Sequence, residues 1–219
     1  MAMRLYAHPF SSYSQKALIA LYENGTSFEY RALEGPDSEA MRELGALWPM
    51  RRFPVLVDGD RTVFEASCVI EYLDLWHSGP TRLVPADPRA ALEVRMLDRF
   101  FDNYVSTPQQ KVVFDRLRPE AVRDVHGVLE ARAMLDIAYA WLEHWMRGRT
   151  WASGEAFSME LAELILIIVV IGRTEHDPTD STLSHESVFP LGRFGSGAFR
   201  LVESAEMLLD NVIDGITFA

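Results

Sequence analysis

Two short clusters in this chain carry residues that could grip a small polar ligand. Ser11-Ser12-Tyr13-Ser14 places hydroxyls directly ahead of a stretch that suits a helix. Serine there caps a helix, because its oxygen accepts from unpaired backbone N–H groups. Glu65-Ala66-Ser67 heads a second such stretch. The N–H groups at a helix start have no acceptor within the helix and the local dipole is positive, so a carboxylate is welcome beside them. Arg51 and Arg52 form the only adjacent basic pair, and an arginine fork can hold a carboxylate through two parallel bonds. Cys68 sits inside the second of these stretches among apolar residues and reads as a small buried filler. His8, His77, His126, His144, His176 and His185 show no ligand spacing with cysteine or acidic partners, so no metal is expected.

Composition narrows the class. The 219 residues exceed the usual span of one domain, so two are expected. Lys and Arg number 21 against 32 Asp and Glu, a net charge of -11, and no basic face for nucleic acid is visible. The single cysteine rules out an internal disulfide and fits a reducing, cytoplasmic setting. Met1 to Tyr6 has no apolar run of signal-peptide type, so no signal peptide is expected. The longest apolar run, Leu164 to Ile171, has eight residues, short of the roughly 20 that span a bilayer, and no membrane partner is expected.

The elements that must carry these clusters follow from pattern. Arg4 to Ala7 reads as a strand, and the helix after the serines ends at Asn24-Gly25. Ser27 to Leu33 alternates like a strand. Residues 37–47 suit a weak helix. Phe53 to Val57 and Thr62 to Phe64 flank Asp58-Gly59 as two paired strands. A helix opened by Glu65-Ala66-Ser67 then carries Val69, Ile70, Leu73 and Trp76. The order β-α-β-α-β-β-α is an α/β unit over residues 1–78. Residues 79–86, with Ser78-Gly79-Pro80 and Pro85, read as a linker. Residues 87–219 read as all-helical. Asp87-Pro88 caps the first of these helices, on which Ala90, Val94, Leu97, Phe101 and Tyr104 share a face. A second runs from about Pro119 to Met146, with Val128, Ala131, Leu135, Ala138, Leu142 and Trp145 as its stripe, and Gly148 ends it.

In this order and spacing the chain resembles a cytosolic glutathione transferase, of the serine, bacterial-like type. The resemblance is carried by Ser11 to Ser14, Phe53-Pro54-Val55-Leu56 with Asp58-Gly59, Glu65-Ala66-Ser67 ahead of Ile70-Glu71-Tyr72-Leu73, and Arg99-Phe100-Phe101-Asp102. It spans roughly Met3 to Ser158. It implies a thioredoxin-like first domain, an all-α second domain, glutathione as co-substrate, a homodimer and a role in detoxification. It also implies a cis bond before Pro54, which turns the backbone of Phe53 toward the peptide part of glutathione. Glu65 matches the acid that pairs with the γ-glutamyl ammonium. The hydroxyl residue that follows in the family is here Ala66, so that contact is missing, and Ser67 either replaces it or caps the helix. Arg52 falls where the family carries a cation for the glycyl carboxylate; Arg51, Gln15 and Lys16 are weaker candidates.

Ser11 matches the residue that stabilises the glutathione thiolate, with Ser12 and Tyr6 as rivals. One hydrogen bond to a charged group contributes ~1.5–3 kcal/mol and a helix start ~0.3–1 kcal/mol, enough together for a thiol shift of about 2 units. The second substrate would be a small apolar electrophile in a pocket formed by Phe10, Met96, Phe100 and Tyr104. Serine at both Ser11 and Ser14 excludes disulfide exchange by that pair, which disfavours a thiol reductase. The resemblance fails beyond Ser158: three residues on stands Leu161, so the capping box is incomplete. The run from Leu164 to Ile171 is rich in β-branched residues that favour strands, though a buried helix there and a last helix over Phe199 to Ile213 remain one reading. Ala66 and this atypical tail, residues 159–219, keep open a non-catalytic alternative, a transferase-fold protein that binds a ligand or a protein partner.

Overall fold

The computed structural model describes residues 2–9, 11–149, 152–153 and 158–159. The expectations for Phe10 and for residues 160–219 lie outside them. Four strands, β1 (Arg4–Ala7), β2 (Glu29–Ala32), β3 (Val55–Asp58) and β4 (Arg61–Phe64), form one sheet in the order β2-β1-β3-β4. β1 and β2 run parallel, joined through helix α1 (Ser12–Glu23), while β3 is antiparallel to both β1 and β4. Helices α2 (Glu39–Leu47) and α3 (Ala66–Trp76) complete the βαβαββα unit.

Alternation along the strands splits the core between the two faces of the sheet. Leu5, Ala7 and Leu56 pack with Ala17 and Leu21 of α1 and Val69, Ile70 and Leu73 of α3. Tyr6, Val55 and Val57 pack on the other face with Leu33 and with Ala40 and Leu44 of α2. Each fully buried aliphatic side chain contributes about 1.5–3 kcal/mol, so both helix layers are held mainly by these faces.

The linker is latched onto the first unit. Asp74 accepts from the N–H groups of Leu83 and Val84, and Asn24 Oδ1 accepts from Thr81 N at 2.9 Å. Helix α4 (Pro88–Phe100) starts as the sequence indicates: Asp87 accepts from Arg89 N and Ala90 N, and Pro88 occupies the first turn. A π-helical turn (Phe101–Ser106) and α5 (Thr107–Arg116) prolong it. The second long helix begins later than expected. A single 3-10 turn (Glu120–Val122) precedes α6 (Val125–Trp145), because Asp124 rather than Pro119 caps it, accepting from Gly127 N.

The helical core joins Leu97, Phe101 and Val105 to Ala138 and Leu142. On α4 the buried flank carries Ala91, Val94, Leu97 and Asp98, with Phe101 following it. Tyr104, expected on that face, is 49 % exposed. Val94, Leu97 and Phe101 are buried as expected, but the buried flank extends toward Ala91 and Asp98 and so includes a carboxylate.

Candidate active site

Sheet register brings three loops to one edge. Tyr6 pairs with Val55, and Val55 with Phe64. The residues after β1, before β3 and after β4 therefore emerge side by side. These are the Ser11 segment, Phe53-Pro54 and Glu65. The rings of His8 and Phe53 lie 6.0 Å apart, consistent with that convergence. Burial holds the His8 imidazole below its usual pKa.

Ser11 is the N-cap of α1, and its Oγ accepts from Ser14 N at 3.2 Å. That bond uses an oxygen lone pair and leaves the hydroxyl hydrogen for another acceptor. Capping and thiolate donation are thus compatible in one residue. Ser14 is fully buried, and its Oγ accepts from His8 N at 3.2 Å, which fixes the loop that leads into the cap. Gln15 is also turned to this loop, its Nε2 donating to Pro9 O at 2.8 Å. Ser12 is half-buried at the first helical position. Tyr6 is buried on the α2 face, and its hydroxyl donates to Glu43 at 2.9 Å. Desolvation and that carboxylate both raise its pKa.

The Phe53–Pro54 bond is cis, as the resemblance implies. Arg52 is exposed, while the Arg51 side chain lies over Gly45 of α2. Glu65 is the N-cap of α3 at φ 66°, a conformation that non-glycine residues rarely adopt. Its side chain makes no cap bond and is exposed. Such outliers persist where surrounding structure imposes them, and they cluster at ligand clamps.

Cys68 departs from its expected place. It is exposed on the first turn of α3 rather than buried, because its apolar neighbours in sequence occupy the opposite side of the helix. Partial desolvation, then Glu71 and Glu65, push its thiol pKa up, which disfavours the thiolate.

Pattern alone missed the strongest electrostatic feature. Lys16 is wholly buried, at 0 % side-chain exposure, and is paired with Asp98. Its Nζ also donates to Ser67 Oγ at 3.2 Å and to Asp102 Oδ1 at 3.3 Å. Ser67 donates to Asp98 Oδ2 at 2.7 Å and accepts from Arg99 Nη2 at 2.6 Å. Arg99 is also paired with Asp98, and with Asp102 at 3.2 Å. Burial alone would raise the Asp98 pKa, but Lys16, Ser67 and Arg99 hold it below the ordinary carboxylate range. Two signals in the sequence point to this cluster. Lys16 adjoins the apolar Ala17-Leu18 of α1, and Asp98 adjoins Leu97 between Val94 and Phe101. Opposite charges on two apolar stripes require each other.

The π-helical turn adds a second tie. The carbonyl of Asp102 accepts from the Tyr13 hydroxyl at 3.4 Å and from Thr107 Oγ1 at 2.8 Å. The Phe100 ring instead meets Trp141 of α6 at 4.4 Å and Tyr104 at 5.8 Å, and Met96 is exposed.

Known proteins share this fold. Residues 5–81 match the family model described as glutathione S-transferase, N-terminal domain. Over about a third of its length the chain is similar to glutathione S-transferases, and solved members of that superfamily share its fold. Glutathione S-transferase F10 of Arabidopsis thaliana is 36 % identical over 74 residues, 33 % of this chain and 34 % of that protein. The alignment thus spans about a third of that relative's length. A glutathione S-transferase from Methylobacterium radiotolerans, solved in complex with glutathione sulfonate, is 25 % identical, with a TM-score of 0.71 over 94 % of this chain and 91 % of that one. One from Methylobacillus flagellatus, solved with glutathione bound, shares the fold at 22 % identity and a TM-score of 0.74, over 88 % of this chain and 92 % of that one. Among the described residues no helix is long and apolar enough to cross a membrane, and no cluster of His, Cys, Asp and Glu is placed to hold a metal.

Proposed function

We propose that the protein is a glutathione transferase that conjugates reduced glutathione to small apolar electrophiles. The observation that carries this reading is the convergence of Ser11, cis Phe53-Pro54 and Glu65 on one sheet edge. Phe53 offers its backbone N–H and C=O to the cysteinyl part of glutathione. Arg52 faces the glycyl carboxylate. Glu65 pairs with the γ-glutamyl ammonium, while Ala66 and Ser67 offer first-turn N–H groups to the adjoining carboxylate.

The thiol then lies against the start of α1. Ser11 donates its hydroxyl hydrogen to sulfur and favours the thiolate, the thiol proton passing to water. The thiolate then attacks the electrophilic carbon, expelling halide from an aryl halide or adding to an enone that takes up a proton from water. The hydroxyl donates without ionising. Ser12 is the neighbouring donor, and Tyr6, already bonded to Glu43 on the other sheet face, is the least suited of the three. The apolar partner binds near Phe10, Met96, Phe100 and Tyr104. The working protein is a homodimer of two-domain chains, with residues 1–78 as the glutathione-binding domain and 87–219 as the helical one. It acts in the cytoplasm, with no nucleic acid or membrane partner.

Ala66 supports a second reading, binding without turnover, since the family hydroxyl is missing there. Calorimetric titration with reduced glutathione, beside a Glu65→Ala variant, tests both. Saturable binding that weakens about 10- to 100-fold in the variant is the expected result. No heat from folded protein up to millimolar glutathione rejects the glutathione site. Binding with no conjugation of any aryl halide or enone tried would favour the second reading.

A further inference from the structure

We propose that Arg99 is a binding residue for the α-carboxylate of the γ-glutamyl end, supplying the donors that Ala66 lacks. The inference rests on the glutathione reading above. It begins from what Ser67 is unable to give. A hydroxyl has one hydrogen and two lone pairs. The Ser67 hydrogen goes to Asp98, and its oxygen accepts from Lys16 and Arg99. The side chain beside Ala66 is therefore saturated and has no donor left for a ligand.

Arg99 differs. Its guanidinium reaches the α3 start, with Nη2 2.6 Å from Ser67 Oγ. Nε bonds Asp98 at 3.2 Å and Nη2 meets Asp98 and Asp102, so these bonds fix the inner edge of the fork. Nη1 is used by none of them, and the side chain is 56 % exposed. An arginine held rigid on one edge and open on the other loses little entropy when it takes a carboxylate.

The charge balance permits this. Asp98 and Asp102 carry two negative charges and Lys16 and Arg99 two positive ones, so no surplus acid opposes an incoming anion. The start of α3 adds a partial positive charge. Glu65, immediately before it, is exposed and acidic. Glu65 caps α3 and Arg99 bonds Ser67 in its first turn, so the two charges flank the start of that helix. An acid and a fork so close together suit a free α-amino acid end, whose ammonium and carboxylate share one carbon. Ligands blocked at either group would be excluded.

The test compares reduced glutathione with γ-aminobutyryl-cysteinyl-glycine, which lacks only that carboxylate, by calorimetry on the wild type, Arg99→Gln and Arg99→Lys. The wild type is expected to prefer glutathione by about 10- to 100-fold. In Arg99→Gln that preference falls to within a few-fold while affinity for the analogue holds. In Arg99→Lys, where a point charge replaces the fork, it is intermediate. An unchanged preference in the variants overturns the assignment. Should Arg99→Gln not fold, the Lys variant alone decides, since an undiminished preference there has the same meaning. A folded wild type that binds neither compound overturns the glutathione reading itself, and this inference with it.

Discussion

At the residue scale, the Ser11 oxygen caps α1, while on the proposed reading its hydrogen goes to the thiol, and substitution separates the two. Glycine is tolerated at an N-cap at a cost of only a few tenths of a kcal/mol, whereas alanine costs about 1 kcal/mol. Ser11→Gly should therefore keep nearly the full stability of the fold while raising the pKa of bound glutathione thiol by about 1–2 units. Following thiolate absorbance against pH in the complex checks this, and an unshifted titration would move the role to Ser12. Glu65 presents the opposite balance. It holds a positive φ that costs an ordinary residue about 1–3 kcal/mol. Glu65→Gly should raise the melting temperature and still weaken glutathione binding, the pattern of a site that trades stability for function. A lower melting temperature would show that the acid supports the fold as well.

At the element scale, the cluster of Lys16, Ser67, Asp98, Arg99 and Asp102 fastens α1 and α3 to α4 and the π-helical turn. Removing one partner of a buried ion pair strands the other charge and costs about 3–5 kcal/mol. Asp98→Asn should lower stability by that order at neutral pH, measured by urea unfolding. The pH dependence has a definite sign. The folded pKa of Asp98 lies below its unfolded value, so its contribution is complete above the ordinary carboxylate pKa of about 3.9 and is lost as pH falls through the lower folded value. Melting temperatures of the wild type should converge on those of the variant in that acid window. The linker has its own test. A Cβ added at Gly79 would stand 2.5 Å from Asn24 Cβ, beside the carbonyl that accepts from Thr81 N. Gly79→Ala should cost about 1–3 kcal/mol through this clash, and an unchanged unfolding midpoint would mean that the linker shifts without penalty.

At the scale of the whole molecule, the proposed site draws on both parts of the chain: the sheet edge would supply Ser11, Phe53 and Glu65, and the helical part Arg99, held in place by Asp98 and Asp102. Glutathione at 100 times its dissociation constant should stabilise the protein by about 2.7 kcal/mol. A thermal shift that is lost in Glu65→Ala would tie the effect to this site, and an equal shift in both proteins would place binding elsewhere.

The parts of the molecule whose signals are local can be read from the residues alone. Ser11 reads as a cap from its position ahead of an apolar helix, Asp87-Pro88 as a helix start, and Asn24-Gly25 as a stop, because each acts on backbone groups within one turn. The succession of elements along the chain and the Phe53-Pro54 motif were legible for the same reason, with the cis bond implied by resemblance. Tertiary structure decided what depends on distant partners. Lys16 and Asp98 lie 82 positions apart, and only the fold brings their two apolar stripes together. Cys68 looked buried from its neighbours in sequence, yet the face it occupies is set by how α3 packs. The flank of α4 that turns inward, and the continuation of that helix into a π-helical turn, likewise follow from packing against α1, α3 and α6. Local chemistry fixes where elements begin and end, while burial and the pairing of charges depend on which surfaces meet.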